Sequence, residues 1–219
     1  MVYIFYTWNT KPFTQEKGDK YLSEIPALFR EKILKLVRWE DRQNSLTGKL
    51  LLQYGLNYLY NHPTKKIESV QLSPFGKPFI PNSVGFNISH SEHCSICAFN
   101  LPENNINKSS DIGVDIERIK PIEFIDFFNL FTRAEQEIIT TSVSPLHSFY
   151  DIWTRKESVL KAQGSGLTNH LNKFCVSKNS TVLDGNTWHT YPIKISHNYI
   201  SHIAVKEIYP EIYIKYIPL

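Results

Sequence analysis

The chain has 219 residues, of which 42% are hydrophobic and 21% charged, so it can bury a sizeable core and is neither disordered nor fibrous. Its formal net charge of +3, without a Lys/Arg run, gives no reason to expect a nucleic-acid partner. No stretch approaches the roughly 20 apolar residues of a membrane span, the N-terminus lacks a signal-peptide pattern, and three cysteines do not suggest a secreted disulfide framework. We therefore predict a cytoplasmic protein with no nucleic-acid or membrane partner.

The first half of the chain predicts a strand, two helices and a further set of strands. Alternating apolar residues make Met1 to Tyr6 a strand, and apolar residues at helical spacing predict two helices between Ser23 and Asn61. Phe75 to Pro78 is typical of a turn, and Phe86 to Phe99 predicts strands with a break in the middle. Leu101 to Ser110 is polar, with one proline and three asparagines, and predicts a linker between two halves.

The second half predicts a strand, two helical segments and a run of strands. Asp111 to Ile116 predicts a strand, and Ile122 to Thr140 has a mostly helical pattern. Ser148 to Gln163 predicts a strong helix, which Gly164 would end in the left-handed conformation. Three later segments with alternating polarity are expected to form antiparallel strands: Tyr191 to Ile195, Ser201 to Val205 and Ile212 to Ile217.

A weak internal similarity bears on the domain organisation. Asn87 to His90, followed by apolar residues, resembles Lys194 to His197 with its own following apolar residues. Four matched letters leave duplication and chance equally open. A duplication would give an α+β fold of two similar, pseudo-duplicated halves, each a small antiparallel sheet with packed helices. With the linker as boundary, these halves would be residues 1–105 and 106–219.

Two acidic residues on one predicted strand are the first candidates for chemistry. Strand periodicity places Gly113, Asp115 and Glu117 on the same face. Neighbouring carboxylates repel each other unless a cation lies between them, and hard oxygen ligands suit Mg²⁺. Gly113 would leave room for a ligand beside them. The alternative is an exposed strand face whose acids point at water.

The strong helix carries the second candidate set. Trp153, Glu157 and Lys161 are four residues apart and share one face of a helix, from which Lys156 is turned away. Glu157 could act as a base or metal ligand, and Lys161 could pair with a phosphate. An ordinary surface Glu–Lys pair explains the same spacing.

Ser89 and His90, within Phe86 to Ser91, could donate hydrogen bonds to an anion at a strand end, although a polar turn is the simpler interpretation. A Ser/His hydrolase is disfavoured because adjacent strand residues do not oppose each other as nucleophile and base. Cys94 and Cys97 raise the possibility of zinc, but residues three apart on a strand point to opposite faces. Two buried thiols in a strand are the better interpretation.

The order and spacing of four motifs are more specific than any one of them: G-K-P at 76–78, F-N-x-S-H-S at 86–91, G-V-D-I-E at 113–117 and W-x-x-K-E-S-x-x-K-x-x-G-x-G-L at 153–167. Together they resemble the surfactin-synthetase-type 4′-phosphopantetheinyl transferases of the holo-carrier-protein synthase superfamily. The resemblance implies two similar α+β halves with coenzyme A bound in the cleft between them. It also implies a monomer that transfers the phosphopantetheine arm of coenzyme A to a serine of an apo acyl or peptidyl carrier protein, releasing adenosine 3′,5′-bisphosphate.

The resemblance also implies roles for individual residues. Asp115, Glu117 and Glu157 would hold Mg²⁺, with Mn²⁺ as an alternative, and Glu157 would take the proton of the carrier serine. Lys161 would pair with the diphosphate, close to Asp115. The remaining coenzyme A contacts would come from two segments and one helix: Ser89 and His90 at the phosphates, Lys77 and Pro78 at the adenosine end, and Lys32.

Two positions depart from the family pattern. Many relatives carry an arginine at the position of Asn44, and a basic residue at the position of Phe29, where each would meet the 3′-phosphate of coenzyme A. Arg42 lies close to Asn44 in sequence, but two residues of helix turn it well away from that direction. The sequence therefore leaves open how the 3′-phosphate is held.

Two other functions remain as alternatives. One is a catalytically weak coenzyme A or nucleotide-binding module, and the other is a magnesium-dependent phosphohydrolase built on Asp115 and Glu117. The aromatic stretch from Phe124 to Phe131 could meet an apolar helix of a carrier protein, although such a cluster is more often core. The sequence does not indicate which carriers would be modified.

Overall fold

The structure is a computed structural model that describes residues 1–60, 67–101, 111–166 and 171–219. Its strands are β1 Val2–Trp8, β2 Gln71–Leu72, β3 Pro78–Phe79, β4 Gly85–Ser91, β5 Cys94–Asn100, β6 Ile112–Arg118, β7 Ser180–Leu183, β8 Asn186–Pro192, β9 Tyr199–Val205 and β10 Ile212–Tyr216. Its α-helices are α1 Gln15–Ser23, α2 Ala27–Leu34, α3 Trp39–Tyr60, α4 Arg133–Thr141 and α5 Pro145–Gln163. Short 3₁₀ helices cover Ile67–Ser69, Phe124–Leu130 and Leu171–Lys173.

Two four-stranded sheets form the centre of this α+β fold. The first has the order β10-β1-β5-β4 and the second the order β6-β9-β8-β7, while β2 and β3 form a small separate ribbon. All pairs are antiparallel except β1 and β10, which run parallel with Val2 opposite Ile212. β4 and β6 are therefore edge strands of different sheets, and they lie side by side.

Strand periodicity divides the core into three apolar layers. Alternate residues of β5 show this: Cys97 and Phe99 pack beneath α3, whereas Cys94 and Ile96 join the layer between the two sheets. The third layer lies under α4 and α5. The prediction that the two cysteines point to opposite faces is thus confirmed, and burial raises the pKa of the Cys94 thiol to about 12. Among the described residues, no helix is both long and apolar enough to cross a membrane.

Several sequence predictions need correction. The last strand exists, but it pairs in parallel with β1 and not in an antiparallel arrangement, because it returns to the edge of the first sheet. The hairpin of β7 and β8 was missed. Its two turn residues, Asp184 and Gly185, both have positive φ, and Asp-Gly is a sequence that favours such a turn. Helix α1 was also missed, since no residue in it is buried and Tyr21 and Leu22 are its only large apolar residues.

Some parts of the sequence interpretation fall outside the described residues, and one is not matched by the local structure. The predicted linker beyond Leu101 and the boundary at residue 105 lie outside the described residues, as does Leu167 of the last motif. Asn87 to His90 lies within β4, whereas Lys194 to His197 lies in the connection between β8 and β9. The four matched letters therefore occupy different local structures.

Helix α5 lies unusually close to β6. A Cβ atom at Gly113 would overlap the carbonyl oxygen of Ser158 and the amide nitrogen of Ala162. Gly113 therefore makes room for the helix backbone and not for a ligand, as the sequence had suggested. Thr154, Ser158 and Ala162, four residues apart, form the small buried underside of α5 that this approach requires.

Gly113→Ala should lower the free energy of unfolding by at least about 3 kcal/mol, because neither neighbouring backbone atom can move without displacing α5. Gly18→Ala is the matched control. Gly18 lies in α1 with open space around it, so this variant should gain about 0.5–1 kcal/mol. Urea unfolding of both variants measures the difference, and a neutral Gly113→Ala would contradict the close contact.

Candidate active site

Helix α5 and strand β6 bring the predicted acidic residues and Lys161 together. Lys161 Nζ lies 2.5 Å from Asp115 Oδ1 and donates to Ser89 Oγ at 3.1 Å. The Ser89 hydroxyl donates to the same Asp115 oxygen at 3.0 Å. Asp115 and Glu157 are 3% and 5% exposed, so both carboxylates are held out of water. The predicted face of α5 that carries Glu157 and Lys161 therefore meets the predicted face of β6 that carries Asp115.

The carboxylates of this group are incompletely satisfied. Asp115 Oδ2 and Glu157 Oε1 are buried and accept no hydrogen bond from any described residue. Burial, and after it the charge of Asp115, raises the pKa of Glu157 to about 7 and that of Glu117 to about 6. Buried acids with unpartnered oxygens and mutual repulsion suit a bound cation. Within the described ranges, however, no three His, Cys, Asp or Glu side chains form a ready-made metal cluster.

Strand β4 lines the other side of the group. Ser89 is buried and bonded to both Asp115 and Lys161, so its hydroxyl is already used within the protein. His90 is exposed at the end of the strand and lines a polar cavity of about 230 Å³ together with Asn44 and Ser91. Partial desolvation and the charges of Lys161 and Lys49 lower the pKa of His90, which favours the neutral ring.

The turn at Gly76 to Pro78 packs against the end of α5. Lys77 Nζ donates to the carbonyl oxygens of Ala162 at 2.8 Å and Ile112 at 3.3 Å, and burial lowers the pKa of Lys77 to about 8. Its ammonium group therefore ties the turn to α5 and β6. Lys77 and Pro78 also line an apolar cavity of about 240 Å³ that reaches Glu157 and Lys161.

Asn44, which departs from the family pattern, and the nearby Arg42 both have structural roles. Asn44 is buried, accepts from Asn9 Nδ2 at 2.7 Å and donates to the carbonyl oxygen of Glu92 at 2.8 Å, which fixes the turn between β4 and β5. Arg42 donates twice to the carbonyl oxygen of Leu36 and so holds the connection between α2 and α3. Both side chains are therefore hydrogen-bonded to the protein's own backbone.

Lys49 is a candidate binding residue that sequence reasoning missed. Its ammonium lies 5.3 Å from the centre of the Phe29 ring, is half-buried, and has no hydrogen-bond or ion-pair partner among the described residues. Desolvation, together with the charge of Lys32, lowers the pKa of Lys49. Lys49, on α3, thus brings an ammonium group over the ring of Phe29. Only the packing of α2 against α3 reveals this, so no sequence signal could have found it.

Lys156 lies on the opposite side of α5, as predicted. Its fully buried ammonium donates to the carbonyl oxygens of Leu171 and Phe174, both at 2.6 Å, and pairs with Glu135 Oε2 at 2.9 Å. Glu135 also accepts from the backbone of Val176 and caps α4 through Thr132. Lys156 is therefore the centre of a satisfied structural cluster and does not approach Glu157.

The aromatic stretch after β6 packs only in part against the core around Trp153. Phe131 is 3% exposed, and its ring contacts Phe149 and Trp153. Phe127 is 38% exposed and also packs on Trp153, and Ile125 beside it is 63% exposed. Phe124 and Phe128 are only partly buried against this core, and Ile125 and Phe127 form a small apolar surface.

Comparison with known proteins identifies the family of this arrangement. Residues 111–204 match the family model of the 4′-phosphopantetheinyl transferase superfamily. The chain is 31% identical over 177 residues to 4′-phosphopantetheinyl transferase Sfp of Bacillus subtilis (strain 168), covering 79% of this chain and 75% of that protein. The chain belongs to the 4′-phosphopantetheinyl transferase superfamily. The transferase is also 32% identical over 161 residues to 4′-phosphopantetheinyl transferase gsp of Aneurinibacillus migulanus, covering 73% of this chain and 64% of that protein.

A match over a shorter segment extends the comparison to a eukaryote. The transferase is 32% identical over 114 residues to the L-aminoadipate-semialdehyde dehydrogenase-phosphopantetheinyl transferase of Schizosaccharomyces pombe, covering 46% of this chain and 44% of that protein. The segment matched by the family model contains β6 and α5, and therefore Asp115, Glu117, Glu157 and Lys161.

Lys156→Ala should lower the free energy of unfolding by about 3–5 kcal/mol, because it leaves Glu135 charged and buried without its partner. Lys161→Ala should cost much less, since Ser89 still donates to Asp115 and the side chain of Lys161 is 30% exposed. Urea denaturation compares the two variants, and equal losses of stability would contradict the opposite placement of the two lysines.

Proposed function

We propose that this transferase moves the 4′-phosphopantetheine arm of coenzyme A to a serine hydroxyl of an apo acyl or peptidyl carrier protein, releasing adenosine 3′,5′-bisphosphate. The observation that carries this proposal is the grouping of Lys161 with Asp115, Glu117 and Glu157 at the packing of α5 on β6. A lysine beside buried acids with free oxygens suits a substrate that brings a diphosphate and a divalent cation together. Family membership supports the same reaction.

Asp115, Glu117 and Glu157 are proposed to hold Mg²⁺, with Mn²⁺ as a substitute. Their oxygens are the ligands that these cations prefer, and the unpartnered Asp115 Oδ2 and Glu157 Oε1 support the fit. When bound, the cation neutralises charge on the diphosphate of coenzyme A. We infer the ligand set from the chemistry of these donors and from the family resemblance.

The protein's own residues would carry the proton and the leaving-group charge. Glu157 would take the proton of the carrier serine, whose oxygen would form a bond to the β-phosphorus of coenzyme A. The bond from that phosphorus to the bridging oxygen breaks, and adenosine 3′,5′-bisphosphate leaves with the electron pair. Lys161 would stabilise the negative charge that develops on this leaving group.

Coenzyme A is proposed to lie between an N-terminal half, residues 1–105, and a C-terminal half, residues 106–219, which we regard as related by duplication. His90 and Ser89 would face its phosphates and, with Asp115, border the diphosphate. Lys77 and Pro78 would contribute the wall of the adenosine site, since the Lys77 ammonium is bonded to backbone carbonyls. Lys32, exposed on α2, would meet the 3′-phosphate.

The carrier protein would approach the Glu157 side of the site. The apolar surface of Ile125 and Phe127 borders Trp153 on α5, one turn before Glu157, and could contact an apolar helix of the carrier. We propose that the transferase acts as a monomer, in the cytoplasm.

Mass spectrometry of an apo carrier protein incubated with coenzyme A, Mg²⁺ and the transferase tests this function. The expected result is a mass gain of one phosphopantetheine arm on the carrier. Coenzyme A binding without transfer would support a binding module instead, and cleavage of the diphosphate without a carrier would support a phosphohydrolase.

Lys161→Ala should lower kcat/KM for transfer by at least about 100-fold, because the charge on the leaving group loses its positioned cation. Asp115→Ala should abolish measurable transfer. Assays of Lys156→Ala at a temperature where it remains folded provide the control. A rate loss at Lys156 equal to that at Lys161 would argue against the proposed roles.

We further propose that Lys49 binds the 3′-phosphate of coenzyme A. Lys49→Met should then lower kcat/KM for coenzyme A by about tenfold or more, the loss expected for one charge-assisted hydrogen bond. With 3′-dephospho-coenzyme A the same variant should change little, since that substrate lacks the phosphate. Arg42→Met is the matched control and should affect both substrates equally. Equal losses with both substrates at Lys49→Met would exclude a specific contact with the 3′-phosphate.

A further inference from the structure

Strands β4 and β6 are joined by side chains and not by a backbone ladder. The Val114 amide donates to Asn87 Oδ1 at 3.0 Å, and Ser89 donates to Asp115. The Ser91 hydroxyl continues the series, two residues further along β4, by donating to Glu117 Oε2 at 2.7 Å. Alternate side chains of β4 thus form a polar seam between the two sheets, and two of its three links end on acids of the candidate site.

The Ser91 hydroxyl has a fixed orientation. It accepts a hydrogen bond from the Arg118 amide at 3.1 Å, and its single proton is directed to Glu117. The Glu117 carboxylate accepts no other hydrogen bond from the described part of the chain. Asp115, in contrast, is held by both Ser89 and Lys161. Ser91 is therefore the one side chain that determines how the Glu117 carboxylate is turned in the described structure.

We propose that Ser91 is a positioning residue, which holds Glu117 Oε2 and so keeps Oε1 available for the cation of the proposed transfer reaction. This inference rests on the proposed function only in assigning the cation to Asp115, Glu117 and Glu157. Hydrogen-bond donors behind a metal ligand set its orientation, and removing one such donor typically weakens metal affinity by about 10–100-fold.

Asn87 offers a control that separates this role from the general stability of the seam. Asn87 is buried and links the same two strands, but it bonds a backbone amide and no carboxylate. A variant at Asn87 therefore weakens the seam without freeing an acid. Ser91→Thr keeps the hydroxyl and tests for rescue.

The test is a Mn²⁺ titration that is monitored by electron paramagnetic resonance. Coenzyme A is present and the carrier protein is left out, so that no turnover occurs. Ser91→Ala should bind Mn²⁺ about tenfold more weakly than the unchanged protein. The Mn²⁺ affinity of Ser91→Thr should lie within about twofold of that of the unchanged protein. Asn87→Ala should also keep its Mn²⁺ affinity within about twofold, but it should unfold at a lower urea concentration.

Unchanged Mn²⁺ affinity in Ser91→Ala would overturn the proposal, as would an equal loss in Asn87→Ala, because the seam as a whole would then explain the effect. Absence of Mn²⁺ binding by the unchanged protein would overturn it too. The comparison of Ser91→Ala with Asn87→Ala decides the question even where the threonine variant does not fold. Failure of the carrier assay with normal Mn²⁺ binding would count against the transfer reaction and not against Ser91.

Discussion

The close contact of α5 with β6 at Gly113 is the constraint on which the candidate site depends. Because a side chain at this position would overlap the backbone of Ser158 and Ala162, the helix lies directly on the strand. The residues beside this contact are then determined by helical geometry. Glu157 and Lys161 fall on the side of Asp115, while Lys156 falls on the side of Glu135. The contact at one glycine thus determines which charged residues of α5 face Asp115 and which face Glu135.

The two charged groups differ in how well they are satisfied. Lys156 donates to two carbonyl oxygens and to Glu135, so each of its three protons has an acceptor, as a stable buried ion pair requires. The acids around Lys161 retain buried oxygens without partners. A satisfied cluster contributes to folding, whereas an unsatisfied one is expected where a ligand completes it.

Periodicity in the sequence predicted the acidic face of β6, the helix that carries Glu157 and Lys161, and the opposite direction of Lys156, because these features depend on local geometry alone. It did not predict that Gly113 accommodates a helix, that Lys77 bonds to Ala162, or that Lys49 lies over Phe29. Each of these depends on contacts between distant segments. The parallel pairing of β10 with β1 was missed for the same reason, since alternation predicts a strand but not its partner.

Anomalous diffraction from crystals of the protein grown with coenzyme A and Mn²⁺ would locate the bound cation directly. We expect a manganese peak bounded by Asp115, Glu117 and Glu157, with the diphosphate of coenzyme A within reach of Lys161. A peak elsewhere, or coenzyme A bound with its diphosphate away from Lys161, would contradict this expectation.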